Sequence, residues 1–279
     1  MKTEDVRHSP IGEMSFMATW DTTPMDGELG RVEDLISGMN RVAVCFSGGL
    51  DSTVLADIAY RTIGNRAVAI MADVPMMSDR QRTLAASVAD SIGIGLITVR
   101  IEDEDLPSIF DNPGNRCYIC KTAMYLSIRK KAKELGIRDV MNAEIVDDLS
   151  EDRPGMKAGK ENSILRPFID CGIDRDSIKE YIRKMNLPMR IVKDTCLLMR
   201  FPVGVPVTHE DLKTIEYLES EIRRLTGVNQ LRIRRSGDSF AVQTSSSELN
   251  SLTRKENEIS LVFEKMGSRY SILGEGYDK

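Results

Sequence analysis

The chain reads as an α/β protein, a parallel sheet with helices on both faces, followed by a smaller α+β unit. Two observations carry this. Short apolar strand-type runs alternate with segments of helical period from residue 29 to residue 143, the pattern of repeated βαβ units. Near the C-terminus two alternating runs flank Gly237-Asp238, a strong hairpin turn signal.

Each element follows from its own pattern. Leu29, Val32, Leu35, Ile36 and Met39 recur at helical spacing. Arg41–Phe46 is an apolar strand that stops at Ser47-Gly48-Gly49, and residues 52–63 form a helix. Ala67–Ala72 is a second buried strand, 79–92 a helix, and Gly95–Ile101 a third strand. Lys121–Leu135 is a helix closed by Gly136, and Asp139–Ala143 a fourth strand. Residues 144–163, rich in Asp, Glu and Lys, read as a loop. Asp174–Met185 is a helix, 186–207 is irregular, and His209–Leu225 is a long helix ended by Gly227. The hairpin Gln230–Arg235 and Ser239–Gln243, a helix near 255–266 and a strand near Tyr270–Leu273 complete the chain. Residues 1–28 show no period and are expected to be an N-terminal arm, with Trp20 as a staple onto the core or a neighbouring subunit. The expected domains are thus 29–200 and 201–279.

Of the 279 residues, 41% are apolar and 29% charged, enough for a substantial core. The net charge of −5 argues against a dedicated duplex-nucleic-acid binder. The sequence shows neither a membrane-length apolar run nor a secretory h-region, so a cytoplasmic location is expected. With only two histidines, His8 and His209, a Ser-His-Asp mechanism is disfavoured. His209, at the start of a helix, is expected on the surface.

The segment Phe46-Ser-Gly-Gly-Leu-Asp-Ser-Thr53 lies between a strand and a helix. Its glycines permit a sharp turn and close approach to an anion. Ser47, Asp51, Ser52 and Thr53 are available as caps, and the helix amides face the turn, making it a phosphate site. The lysine of the G-x-x-x-x-G-K-[ST] loop is missing. Ser-Gly-Gly-x-Asp-Ser resembles the signature of the PP-loop ATP pyrophosphatases. That resemblance implies the adenine nucleotide α-hydrolase-like fold and ATP held at Ser47, Gly48, Gly49, Asp51 and Ser52. It also implies adenylation of a substrate with loss of pyrophosphate, and Mg²⁺ as counter-ion. Ala72, at the end of the second strand, is expected to line the nucleotide at the switch in strand order.

Five cysteines, an odd number, do not make a disulfide framework. Cys45, inside a strand, and Cys171, before Gly172, are read as packing. Cys117 and Cys120 form a Cys-x-x-Cys beside Arg116 and Lys121. A dithiol redox pair, a zinc site aided by His209, two idle thiols, or a cluster completed by a third thiol all remain open; Cys196, in an irregular basic-flanked loop, is the natural third.

Several stretches in order are similar to the LarE family of ATP-dependent sulfur insertases. They are the loop at 47–52, Asn112-Pro…Arg116-Cys-Tyr-x-Cys-Lys121, Asp147-Asp-Leu…Arg153-Pro-Gly155, Arg166-Pro-Phe-Ile-Asp-Cys-Gly-Ile173, Cys196-Leu…Arg200-Phe-Pro-x-Gly204, Arg232-Ile-Arg234 and Gly276-Tyr277. The resemblance covers the chain from about residue 29 onward. It implies adenylation of a carboxylate of a pyridinium mononucleotide, then replacement of AMP by sulfur. Cys117, Cys120 and Cys196 match the three-cysteine subtype that holds a 4Fe-4S cluster, whose open iron binds sulfide. In other members the residue matching Cys196 gives up its own sulfur. Arg232 and Arg234 are implied to contact the substrate phosphate, Arg153 lies in a loop near the nucleotide, and Asp147 and Asp148 are candidate metal or positioning carboxylates. The implied partners are a small anionic nucleotide-like substrate, sulfide or another sulfur donor, and further copies of the chain in a homo-oligomer. The sequence departs from the family at Met199 and at Ala143-Glu-Ile145, which replaces Gly-Thr-Asn. Among alternatives of other classes are a tRNA thiolase on the same fold, to which the local cluster Arg223, Arg224, Arg232, Arg234 and Arg235 could be relevant, and a non-catalytic iron–sulfur or ATP-binding module.

Overall fold

A computed structural model describes residues 27–150, 154–187 and 194–273. Trp20, Arg153 and Gly276-Tyr277 lie outside the described residues. In chain order the elements are α1 (Gly27–Ser37), β1 (Val42–Cys45), α2 (Leu50–Ile63), β2 (Ala67–Asp73), α3 (Asp79–Ile92) and β3 (Gly95–Arg100). They continue with α4 (Arg116–Glu134), β4 (Asp139–Met141), α5 (Pro154–Glu161), α6 (Pro167–Cys171), α7 (Arg175–Lys184) and α8 (His209–Thr226). The last are β5 (Leu231–Ser236), β6 (Ser239–Thr244), α9 (Leu249–Thr253), α10 (Glu256–Glu264) and β7 (Arg269–Leu273).

Four parallel strands form one sheet in the order β3-β2-β1-β4, the expected α/β architecture. Alternate residues of the central strands leave on opposite faces, and both faces are buried, as a parallel sheet requires. Ala43 and Ile70 pack on the side of α4, in a core that continues through α8 into the C-terminal sheet. Val42, Val44 and Ala69 pack on the other side with α1, α2, α3 and α7. There the fully buried Asp57 of α2 accepts from Arg61 at 2.8 Å and from the Tyr181 hydroxyl of α7 at 2.6 Å, pinning the two helices.

The second sheet has the order β5-β6-β7. Strands β5 and β6 form the expected hairpin, with Gly237 at φ +58° in its two-residue loop. β7 returns parallel to β6 after α9 and α10.

The differences from expectation are local. Helix α4 begins at Arg116, five residues early, so the Cys-x-x-Cys lies on its first turn. The stretch read as a loop at 144–163 contains α5. Its buried face is Gly155, Ala158 and Gly159, too small to register as an apolar stripe, and its outer face is charged. These small residues let α5 approach α4 closely: a Cβ on Gly155 would meet Lys121 Cδ at 2.6 Å. The short helices α6 and α9 were also unmarked by a period. Among the described residues no helix is long and apolar enough to cross a membrane.

Candidate functional site

In the sheet, successive strands run outward from β1 through β2 to β3, and the chain then crosses to the opposite side of β1 to form β4. The strand order therefore reverses between β1 and β4, where open α/β sheets take their ligands. A cavity of about 270 Å³ opens there. Its walls are Cys45–Ser47 and Gly49–Ser52 after β1, Asn142–Glu144 after β4, Asp148, and the inner face of α4. Ala72 is buried at the end of β2 and is not among the cavity's lining residues, and its neighbour Asp73 turns away to pair with Arg82 at 2.7 Å.

The loop after β1 is a tight, internally hydrogen-bonded turn. Gly48 sits at φ +70°, and a Cβ there would lie 2.6 Å from the Ala85 Cα of α3, so both backbone and space demand glycine. The hydroxyls of Ser47 and Ser52 lie 3.0 Å apart, Ser47 Oγ accepts from Gly49 N, and Ser52 Oγ donates to Gly49 O. The expected side-chain cap does not form at Gly49, the N-cap of α2. The hydroxyls tie the loop together instead, and the first amides of α2 face the cavity with the positive end of the helix dipole. Asp51 lines the same opening.

Opposite the loop stands a polar cluster that the sequence did not reveal. Lys121 Nζ lies 3.5 Å from Glu144 Oε1, and Asn142 Nδ2 donates to the Tyr125 hydroxyl at 3.0 Å. Burial pulls the Lys121 ammonium down, but Tyr125 and Glu144 outweigh it and hold it above its usual range. Glu144 is buried, and among the described residues its Oε2 has no hydrogen-bond partner. Cys45, read as packing, lines the cavity beside this cluster; burial first, with Glu144 opposing the pull of Lys121, pushes its thiol up to about 12. Cys171 is buried in the core against α1 and α7. Asp148 Oδ2 accepts from Ile145 N, whereas Asp147 accepts from Arg175 N at the start of α7, away from the cavity.

Cys117 and Cys120 lie at the start of α4, and Cys196 lies near enough to influence Cys120 electrostatically. Burial raises Cys120 to about 12, with Cys196 and Cys117 adding to it. Burial also raises Cys196, with Cys117 adding and Arg200 and Arg116 opposing. Each thiol therefore lies within the field of the others. Among the described residues no group of three or more His, Cys, Asp or Glu side chains is arranged to hold a metal ion. Cys117 is exposed; Cys120 and Cys196 are half-buried.

Non-local hydrogen bonds bring the segments together. Buried Asn112, in the left-handed region at φ +52°, donates from Nδ2 to Pro202 O at 2.7 Å and accepts Gly204 N on its carbonyl at 2.8 Å. Arg116 donates to Asn112 Oδ1 at 2.6 Å and to Met199 Sδ at 3.2 Å. Arg234 donates to the Met199 carbonyl at 3.0 Å. Met199 thus links Arg116, at the start of α4, to Arg234 of β5.

Behind Cys196 lies a clamp centred on two buried residues, Arg200 and Glu219. Arg200 reaches Asp194 at 2.8 Å and Thr195 Oγ1 at 2.6 Å, the two residues before Cys196. Its Nε meets Glu219 Oε1 of α8 at 2.7 Å. The same Oε1 accepts from Ile233 N at 3.0 Å, between Arg232 and Arg234 on β5. Glu219 therefore fixes the thiol loop and the arginine strand to one point. Arg232 is buried, so the Arg-x-Arg is not a solvated strand face. Burial, with Arg232 and Arg200 close by, draws Arg234 below its ordinary range, the mark of a crowded positive site. The remaining arginines of the basic cluster are paired, Arg223 with Glu219, Arg224 with Glu221 and Arg235 with Asp211. His209 is exposed and pairs with Asp103 at 2.7 Å.

The NAD synthase family profile matches residues 32–113, the stretch that contains the phosphate loop. The chain is 30% identical over 257 residues to slr1717, an uncharacterized protein of Synechocystis, covering 91% of this chain and 96% of that protein. It is 29% identical over 227 residues to an uncharacterized protein of Methanocaldococcus jannaschii, covering 81% of this chain and 86% of that one. It is 23% identical over 243 residues to the pyridinium-3,5-bisthiocarboxylic acid mononucleotide synthase of Lactiplantibacillus plantarum, covering 86% of this chain and 88% of that enzyme. Thirty per cent identity over 91% of this chain and 96% of slr1717 makes this protein a member of the same family as slr1717, with an NAD-synthase-like phosphate-loop domain at residues 32–113.

Proposed function

We propose that the protein is an ATP-dependent sulfurtransferase that adenylates a small carboxylate-bearing, phosphate-bearing substrate and replaces AMP with sulfur. One observation carries this reading: α4 presents Cys117 and Cys120 on its first turn and, from Lys121 onward, the wall of the phosphate cavity. A sulfur source and an activated phosphate ester would then be neighbours on one rigid element, which is what a transfer between them needs. The likeness to the pyridinium-3,5-bisthiocarboxylic acid mononucleotide synthase supports the substrate class.

On this reading the amides of Gly48, Gly49 and the first turn of α2 bind the leaving pyrophosphate, with Ser47 and Ser52 shaping the loop. Lys121 supplies the cation opposite, and Asp51 is the carboxylate positioned for Mg²⁺. Charge placed around the leaving group is the main catalytic contribution. Arg232 and Arg234 hold the substrate phosphate, for which the arginine fork is suited. Arg153 is retained as a nucleotide contact on the resemblance alone.

Cys117, Cys120 and Cys196 are the residues that would hold a 4Fe-4S cluster. The mutual influence of Cys120, Cys196 and Cys117 supports this reading, since a cluster with one open iron takes three thiolates, each on its own iron. Arg116 and Arg200 beside them offset its negative charge. When bound, the cluster supplies an open iron for a sulfide nucleophile.

The test has two arms. Anaerobically reconstituted protein should be brown with about four irons per chain, and Cys117→Ala or Cys196→Ala should lose the iron. A colourless protein that takes only zinc removes the cluster from the proposal. Asp51→Asn should lose substrate-dependent pyrophosphate release while keeping the iron; undiminished release refutes the assignment of the loop. The paired state of Arg223, Arg224 and Arg235 leaves little free charge for a long RNA, so a small anionic acceptor is favoured over tRNA.

A further inference from the structure

Glu144 stands where the sequence departs from its relatives' pattern, and its setting is unusual. It is 7% exposed, it lines the cavity, its Oε1 faces Lys121, and its Oε2 is buried with no hydrogen-bond partner among the described residues. A buried carboxylate oxygen left unpaired is costly, and such groups mark the place of a missing donor. The neighbours do not supply one. Lys121 is engaged with Oε1, the Asn142 amide donates to Tyr125, and the Asn142 Oδ1 that meets the Glu144 backbone is an acceptor.

We propose that Glu144 is a specificity-determining contact of the nucleotide, accepting a hydrogen bond on Oε2 from a hydroxyl or amino group of the ATP bound in this cavity. The inference rests on the nucleotide reading of the site given above. Charge decides the chemistry. A carboxylate repels phosphate oxygens, so the triphosphate lies toward the amides of Ser47–Ser52, and the part of the nucleotide nearest Glu144 Oε2 is a neutral donor. ATP offers two sources, the ribose hydroxyls and the exocyclic amine of adenine. Close packing keeps the carboxylate in place. The small face of α5 presses on this wall, and a Cβ on Gly159 would come within 3.3 Å of Asn142 Nδ2. Glu144 thus acts as a fixed reader rather than a mobile surface acid.

The test measures equilibrium binding of four probes to the full chain: ATP, 2′-deoxyATP, 3′-deoxyATP and purine riboside triphosphate, which lacks the exocyclic amine. Wild-type protein should bind one of the three analogues roughly 10- to 100-fold more weakly than ATP, the range for a lost hydrogen bond to a charged group. The analogue that fails identifies the source. Glu144→Ala should weaken ATP by a similar factor and leave that analogue unchanged, so that the discrimination disappears. Glu144→Gln, of the same size and shape, should retain part of it through its carbonyl oxygen. Discrimination that persists undiminished in Glu144→Ala overturns the assignment of Glu144 alone. Equal binding of all four probes by wild-type protein does the same. Wild-type protein that binds no ATP overturns the nucleotide reading of the cavity, and this inference with it.

Discussion

Glu219→Ala removes the acceptor on which the thiol loop and the arginine strand converge. Four donor contacts are lost, from Arg200 Nε at 2.7 Å, Arg200 Nη2 at 3.3 Å, Arg223 Nη2 at 3.1 Å and Ile233 N at 3.0 Å. Glu219 is 2% exposed and Arg200 1%, so water does not replace the lost partner. Burial alone would pull the Arg200 guanidinium down, yet Glu219 and Asp194 hold it above its usual range, so it stays charged. Removing one partner of such a pair costs about 3–5 kcal/mol. The low end is expected, because Asp194 and Thr195 still hold Arg200 on its other edge. At about 2–4 °C per kcal/mol the melting temperature should fall by roughly 6–20 °C. Glu219→Gln keeps an oxygen for Ile233 N and one edge of Arg200 but faces the other donors with an amide, and should lose about half as much. Calorimetric melting of the iron-free protein measures both. A drop of less than about 1 kcal/mol for Glu219→Ala would refute the view that this clamp bears the weight of the buried charge.

Gly48→Ala forces a side chain into the left-handed region, at least about 1–2 kcal/mol, and onto the α3 backbone. It should abolish pyrophosphate release, and normal release would contradict the tight-turn reading of the loop. Tyr181→Phe leaves buried Asp57 with Arg61 alone and should cost about 1–3 kcal/mol in urea unfolding; an unshifted midpoint would show that the α2–α7 pin contributes nothing. The Cys45 thiol is raised to about 12, and the thiolate is the reactive form. Its alkylation, followed by mass spectrometry, should be slow near pH 8 and rise about tenfold per unit to about pH 10 without levelling. A plateau below about pH 9 would mean that the thiol is not held in its neutral form by its surroundings.

What could be read from the sequence was what local chemistry dictates. Gly48 and the hydroxyls around it announce a phosphate turn because strand, glycine and helix start are adjacent in the chain. The parallel sheet follows from alternating periods for the same reason. The position of the cavity did not follow, since it depends on β4 crossing to the far side of β1, and strand order is not a local property. Helix α5 was hidden because it packs through glycine and alanine. Glu219 was hidden more thoroughly: in a helix of mixed charges its neighbours in sequence suggest a solvated face, and its burial is imposed by Arg200 and β5 from elsewhere. Glu144 left a faint trace, a charged residue beside Ala143 and Ile145 at the end of an apolar strand.

The distribution of cations gives the two halves of the site different tasks. Lys121, held by Glu144, is the cation lining the cavity between β1 and β4 among the described residues, whereas Arg116, Arg200, Arg232 and Arg234 gather where Met199 and Cys196 lie. A nucleotide bound mainly by backbone amides needs little side-chain charge, because the helix terminus provides it. An acceptor carrying its own phosphate, or a sulfur centre carrying net negative charge, does need it, and the arginines stand on the side of the thiols. On the proposed reading, ATP is gripped by the turn after β1 and the acceptor by the arginines of β5. The two are directed toward each other across the first turns of α4, where the thiols stand.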